Sequence, residues 1–347
     1  MKVSTTKTQS NIKEQVTPPF LGAFVVNSRT PSKAFTRRFS AMITPPVAVD
    51  VAMIGHFARD KLVVRGQERV SSGGAVYYGG IALRRIGVSV AVITRLRAED
   101  FPYLDELKQE GVLVFAQPAE QTSGIENIYT TEDMDRRICK PLGFAGPFRL
   151  EDIPNVDAKV FLVGPIIAGE VDLALVQSLA GRGPVALDVQ GFVRVREGDD
   201  LVFRDWPEKE EGLACVHTLK VDSAEAEVLT GKTDPVVAVR ELAAYGPREI
   251  VLTHASGVLV HADGRDYRAP FTPRELRGRT GRGDTCFACY VGKRLTAPPE
   301  EACRFAAAVT TLKLEKPGPF RGTLEDVERY LAEGRLGETR WSWTPET

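Results

Sequence analysis

Arg279-Thr280-Gly281-Arg282-Gly283-Asp284-Thr285, running on into Cys286-Phe287-Ala288-Cys289-Tyr290-Val291, decides how the rest of this chain is read. Two glycines allow a tight backbone turn, and the small and apolar residues after them predict a buried helix. A helix opening there points its unpaired N–H groups at whatever anion lies before it. Asp284, in the first turn, stands beside that anion, placed to take a proton from a hydroxyl. An anion cradle next to a carboxylate is the minimal equipment for putting a phosphoryl group on an alcohol.

The pattern around this segment is α/β. Val47–Ile54 is an apolar, β-branched run ending at Gly55 and predicts a buried strand. The pair Gly73-Gly74 opens a helix through Ile81–Ile86. Further strands are predicted at Val88–Thr94, Val112–Ala116, Lys159–Val163, Val185–Asp188, Thr218–Val221 and Ile250–Thr253. Helices are predicted at Tyr103–Glu110, Glu170–Ala180, Ala224–Leu229 and Val236–Tyr245. Strands alternating with helices imply a mainly parallel sheet covered on both faces, with ligands beyond the carboxyl ends of the strands. Lys61–Val70 and Gly124–Lys140 alternate without an intervening helix. They predict either an antiparallel flap that keeps water from the site or two exposed hairpins without a gating role.

Composition narrows the function classes. A chain of 347 residues with 43% hydrophobic and 26% charged residues has the makings of a large core without metal or disulfide staples. A net charge of −1 speaks against a broad nucleic-acid-binding face. Five scattered cysteines and the lack of an apolar run of about 20 residues suggest a reducing, cytoplasmic setting with no membrane partner. Residues 1–41 hold seven Lys/Arg against the single acid Glu14, with little apolar periodicity. They are expected to be a disordered tail or a start-site artefact, with a targeting peptide as the alternative. The working division is 1–41, a domain over 42–336, and a C-terminal tail over 337–347.

Four motifs in order resemble the ribokinase (PfkB) family of small-molecule kinases. They are Gly55–Asp60, Gly73–Gly87, Leu219–Gly231 and Thr280–Asp284. The resemblance implies a three-layer α/β sandwich with a small β-rich lid and a kinase using ATP and Mg²⁺. It implies Asp284 as general base, with Gly281, Arg282 and Gly283 completing the anion hole. Asp60, Gly73, Gly74 and Tyr78 would face the acceptor, and Asp222, Glu225, Thr253 and Gly257 the nucleotide. Glu225 would reach the metal through water, and the helix over Glu301–Lys313 would line an adenine pocket. Lids in this family often pair between subunits, which implies a homodimer.

The chain also departs from that pattern. Asp222 replaces the family's asparagine and adds a negative charge near the phosphates. Arg282 replaces the central alanine of the anion hole, either as an electrostatic clamp or as a solvent-facing side chain. Gly278 stands where an aspartate often accompanies a monovalent cation, which argues against potassium activation. Tyr78 replaces a sugar-holding asparagine, so ribose is disfavoured as the acceptor. Ala186–Arg194 is similar to the branch containing myo-inositol kinases, as are Gly164-Pro165 and Glu170, which adds Gln190 and Arg194 as acceptor-side candidates. The expected acceptor is a small polyol, a sugar or a cyclitol. A nucleoside kinase, a kinase using a donor other than ATP, and a non-catalytic small-molecule sensor of the same fold are the alternatives. Cys286 and Cys289 are read as small core residues, because no second Cys or His pair has ligand spacing.

Overall fold

The first strand shows how the chain positions its site. Strand β1 (Val47–Ile54) starts exposed and ends with four wholly buried residues, so its apolar end is driven to the centre of a sheet. There it pairs in parallel with β4 (Val90–Arg97), Ile54 opposite Ile93, and with β8 (Val156–Val163), Ile54 opposite Val163. The chain is described from a computed structural model over residues 46–64, 66–129 and 137–336. The expectations for 1–41 and 337–347 lie outside those residues.

Among the described residues the large sheet runs β15 (Arg265–Pro270), β14 (Gly257–Ala262), β13 (Glu249–Thr253), β12 (Thr218–Asp222), β9 (Val185–Asp188), β8, β1, β4 and β5 (Leu113–Ala119). Pairings from β13 through β5 are parallel, and β13–β14–β15 closes one edge in antiparallel fashion. Helices α1 (Ala75–Arg85), α8 (Arg282–Arg294), α9 (Pro299–Leu314) and α10 (Leu324–Ala332) share a core with Met53, Val92 and Val251 on one face. The other face buries Ile54, Leu187 and Leu219 against α3 (Leu173–Ala180), α6 (Ser223–Thr230) and α7 (Pro235–Ala244). Three layers with a mostly parallel sheet make this an α/β sandwich.

Pro102 marks one departure from the expected elements. It sits inside a 3₁₀ stretch, Ala98–Leu104, that takes up the start of the predicted helix over Tyr103–Glu110 and leaves a short α2 (Asp105–Gln109). Short helices α4 (Gln190–Val193) and α5 (Lys209–Leu213), and a hairpin of β10 (Arg194–Glu197) with β11 (Asp200–Phe203), fill connections.

A second sheet, in the order β3 (Gln67–Gly73), β2 (Ala58–Val64), β6 (Gly124–Tyr129), β7 (Arg137–Gly143), stands at the carboxyl edge of the first. Its two hairpins are antiparallel, but β2 and β6 run parallel, with Leu62 opposite Asn127. The expectation was either an antiparallel flap or two exposed hairpins, and the two hairpins in fact join through a parallel pair. The difference follows from topology: β2 continues β1 and β6 continues β5, so both leave the same edge in the same direction. Ala58 and Ile125 of this sheet pack on Ile166 and Ile167, just beyond β8.

Candidate active site

Helix α8 begins where glycine permits it. Gly281 has φ +79°, a left-handed conformation that costs a residue with a Cβ roughly 1–2 kcal/mol. A Cβ there would also overlap the Tyr78 ring. The Thr285 N–H donates to the Gly281 carbonyl at 3.0 Å, closing the first turn. Of the amides expected in the cradle, that of Arg282 turns back to the Arg279 carbonyl at 3.3 Å. Those of Gly283 and Asp284 belong to the first turn, where the helix offers no carbonyl partner. The loop before the helix is tied to the end of α9. Leu314 O accepts from the N–H groups of Arg277 and Gly278, at 2.9 and 3.0 Å. Lys313 Nζ donates to the carbonyls of Gly278, at 2.6 Å, and Thr280.

Asp284 is half-buried at the head of α8. Burial, with the charges of Asp188 and Asp60 nearby, pushes its carboxyl up from 3.8 to about 6, while Lys220 and Lys313 pull it back. A carboxyl so placed is still ionised at neutral pH and is a stronger base than a free aspartate.

Beside the cradle, the parallel strands bring three charged side chains together. Lys220 Nζ lies 3.1 Å from Asp188 Oδ1, at the end of β9, and 3.3 Å from Glu225 Oε2, in the first turn of α6. All three are buried. A Cβ built on Gly283 would meet Lys220 Cε at 3.5 Å and Thr253 Oγ1 at 3.7 Å, so a strand lysine and Thr253 both abut the anion cradle. Asp222 and Glu225 form a reciprocal cap on α6. Asp222 Oδ1 accepts from the Glu225 N–H at 2.8 Å, and Glu225 Oε2 from the Asp222 N–H at 2.7 Å. Glu225 Oε1 is left buried without a hydrogen-bond partner. Burial first, then Asp222, raises the Glu225 carboxyl to about 8, and Lys220 opposes the rise. Among the described residues no group of three His, Cys, Asp or Glu side chains could hold a metal ion unaided. An orphaned carboxylate oxygen does fit Mg²⁺, which typically takes one or two protein carboxylates and fills its shell with phosphate and water.

The opposite wall is built by the second sheet. Asp60 Oδ1 accepts from the Ile125 N–H at 2.9 Å, which joins β2 to β6. A Cβ at Gly73 would overlap the Asp60 carboxylate, and Gly74, at φ +88°, crosses the His56 carbonyl. Gln190 donates its N–H to Asp188 Oδ1 at 3.0 Å and its amide to Ile166 O at 3.4 Å. Arg194 is buried, with its guanidinium 5.9 Å from the centre of the Phe203 ring. Gly257 begins β14 across a tight turn, its carbonyl accepting the His254 N–H at 2.9 Å. Tyr78, in the first turns of α1, lies where the charges of Asp60 and Asp284 both act on its hydroxyl. Its ring packs against Gly281 and under Lys313, 5.5 Å from Nζ.

His56 and Glu170 brace this wall. Glu170 accepts from the His56 N–H at 2.6 Å and the Ile166 N–H at 2.8 Å. Burial drives the two in opposite directions, Glu170 up to about 8 and His56 down to about 3, so a neutral pair is favoured. Sequence reasoning did not single out Lys220, Asp188 or Lys313. The available signal was a lone cation inside an otherwise apolar strand (Thr218–Val221) and another inside a mostly apolar helix.

The arrangement has known counterparts. The pattern of the pfkB family carbohydrate kinases matches residues 55–325. A pyrophosphate-dependent kinase of the ribokinase family, solved with a pyrophosphate analogue and myo-inositol, is 38% identical. The match covers 80% of this chain and 99% of that one, with a TM-score of 0.75. A pyrophosphate-dependent myo-inositol-1 kinase converted into a myo-inositol-3 kinase by mutation is 37% identical, over 82% and 99% of the two chains, at 0.75. Ribokinase of Arabidopsis thaliana, solved with ribose and ATP, is 19% identical over 82% and 99%, at 0.67, and shares the fold. No curated protein sequence matches. Among the described residues, no helix is long and apolar enough to cross a membrane.

Proposed function

This chain belongs to the pfkB family of carbohydrate kinases, and from that premise we propose that it phosphorylates one hydroxyl of myo-inositol, or of a cyclitol of like shape, with inorganic pyrophosphate as donor. The observation that carries the reading is the buried Lys220 ammonium set against Gly283 of the cradle, with Asp284 on the same helix turn. A compact donor whose charge lies wholly in its two phosphates suits a fixed buried cation better than one that needs a purine pocket. The kinship with pyrophosphate-dependent kinases at 37–38% identity supports the same donor. Pyrophosphate thus takes the place of the ATP expected from the motifs.

In the reaction the acceptor hydroxyl, oriented by Asp60 and Gln190, loses its proton to Asp284 as its oxygen bonds to phosphorus. The bridging P–O bond breaks and orthophosphate leaves. The first-turn amides of Gly283 and Asp284, with Lys220, hold the charge on the transferred group. Arg282 and Arg194 add positive potential nearby. Glu225 Oε1 would help to hold Mg²⁺, which would supply charge neutralisation at the phosphates. The second sheet excludes water that would compete as acceptor.

The test is phosphorus NMR of the purified protein with Mg²⁺ and myo-inositol, supplied in turn with pyrophosphate and ATP. Loss of pyrophosphate that depends on inositol, with inositol phosphate and orthophosphate in equal amounts, is the expected outcome. Turnover with ATP alone would overturn the donor. Turnover of ribose or adenosine in place of inositol would overturn the acceptor, and binding without turnover would favour a sensor.

A further inference from the structure

We propose that Lys313 is a positioning residue whose ammonium, held inside the fold, fixes the loop that carries the anion cradle, so that catalysis needs no monovalent cation from solution. The inference rests on the kinase reading above and concerns how its cradle is kept in shape.

Lys313 is 1% exposed, and a lysine is almost never so buried without partners for its charge. Here the partners are oxygens of a single loop. Nζ donates to the carbonyls of Gly278, at 2.6 Å, and Thr280, and the Tyr78 ring face lies 5.5 Å away, within cation–π range. Two carbonyls of one loop converging on a cation is the way a protein holds a potassium or ammonium ion, except that this cation is tethered to α9. Thr280 directly precedes the left-handed Gly281, and Tyr78 lies against Gly281. Position of the ammonium therefore fixes where α8 starts and where the Gly283 and Asp284 amides point.

Backbone contacts reinforce that link. Leu314 O, one residue along α9, accepts from the Arg277 and Gly278 N–H groups. A Cβ at Gly278 would overlap the Lys316 carbonyl, so the loop lies flat on the helix end. Asp284 and Arg282 are the charges that act on Lys313 from the cradle side, the first favouring its charged form and the second opposing it. Burial pulls the amine down to about 7, whereas two carbonyl acceptors and a ring face favour the ammonium.

The experiment compares wild type with Lys313→Met and Lys313→Ala, each checked for folding by circular dichroism. Rates are followed at constant ionic strength with tetramethylammonium chloride replaced by potassium, ammonium or methylammonium chloride. Wild type is expected to be indifferent to the cation. Lys313→Met should lose about 10²-fold in kcat with little change in acceptor KM, the size of removing one preorganised donor group. Lys313→Ala should lose a similar factor and regain activity saturably with a small cation, which no purely structural lysine would allow. Full activity in Lys313→Met, or potassium dependence of the wild type, would overturn the proposal. So would folded Lys313→Ala that no cation rescues. If wild type turns over no donor, the kinase reading has failed instead. Hydrogen exchange over 278–285 then still decides the role of Lys313: faster exchange in folded Lys313→Met supports it, and unchanged exchange overturns it.

Discussion

Asp284→Asn is expected to stabilise the protein while abolishing turnover, and the pH dependence of that gain is the sharpest check on the site. In the folded chain the Asp284 carboxyl is raised from an ordinary 3.8 to about 6. Its ionised form is therefore disfavoured in the fold. The penalty is absent below about pH 3.8, grows as pH rises between the two values, and is complete above about 6. A tenfold change in proton affinity is about 1.4 kcal/mol, so the full penalty is about 3 kcal/mol, brought to about 2 kcal/mol by partial solvent access. Asparagine has the same shape and no charge, and should recover that amount at pH 8 and about half of it at pH 5. In a domain of this size the gain at pH 8 is a rise in Tm of about 3 °C. Differential scanning calorimetry of both proteins at the two pH values, with turnover measured alongside, gives the result. The variant should lose at least about 10³-fold in kcat, the upper range for a positioned general base. Equal stabilisation at both pH values, or a variant less stable than wild type at pH 8, would refute the buried, charge-crowded environment assigned to Asp284. Activity within tenfold of wild type would refute its role as base.

The remaining expectations address each wall of the site. The rate at limiting acceptor should fall about tenfold per pH unit below about pH 6, as Asp284 protonates, measured in initial-rate profiles; a flat profile down to pH 5 would remove it as the base. Gly73→Ala must push the Asp60 carboxylate aside, so acceptor kcat/KM should drop about 10²-fold while donor KM stays level. Lys220→Met leaves Asp188 and Glu225 as unpaired buried carboxylates, which should cost about 3–5 kcal/mol in urea denaturation. Its donor KM should rise steeply; an unchanged KM for pyrophosphate would sink the donor assignment.

Much of the fold could be read from the residues because its parallel strands are short, mostly apolar runs bounded by polar and glycine-rich segments. Val47–Ile54 and Val185–Asp188 were bounded to the residue. Elements were lost where a local rule was overridden. One predicted helix began as a 3₁₀ stretch, and β14 with β15 turned antiparallel after a tight turn that period alone does not reveal. The parallel pairing of β2 with β6 was out of reach for another reason: direction within the second sheet is set by where β1 and β5 end, which is a property of the large sheet.

The site divides in the same way. Gly281, Gly283 and Asp284 were legible because backbone freedom and helix-terminal charge are written in one contiguous segment. Asp222 and Glu225 were legible as residues, but their capping bond, which leaves Glu225 with one spare oxygen, appears only when α6 is built. Lys220 and Lys313 were invisible because each reaches the cradle segment from far away in sequence, 63 positions from Gly283 and 33 from Thr280. In an apolar run a single lysine reads as a flaw in the pattern, yet burying an unpaired ammonium costs several kcal/mol. Such a residue persists only where the fold supplies partners, and here those partners are the carboxylates beside the cradle in one case and the carbonyls beneath it in the other. A lone cation inside an apolar strand or helix is thus a signal worth following to whatever anion-binding segment the chain carries elsewhere.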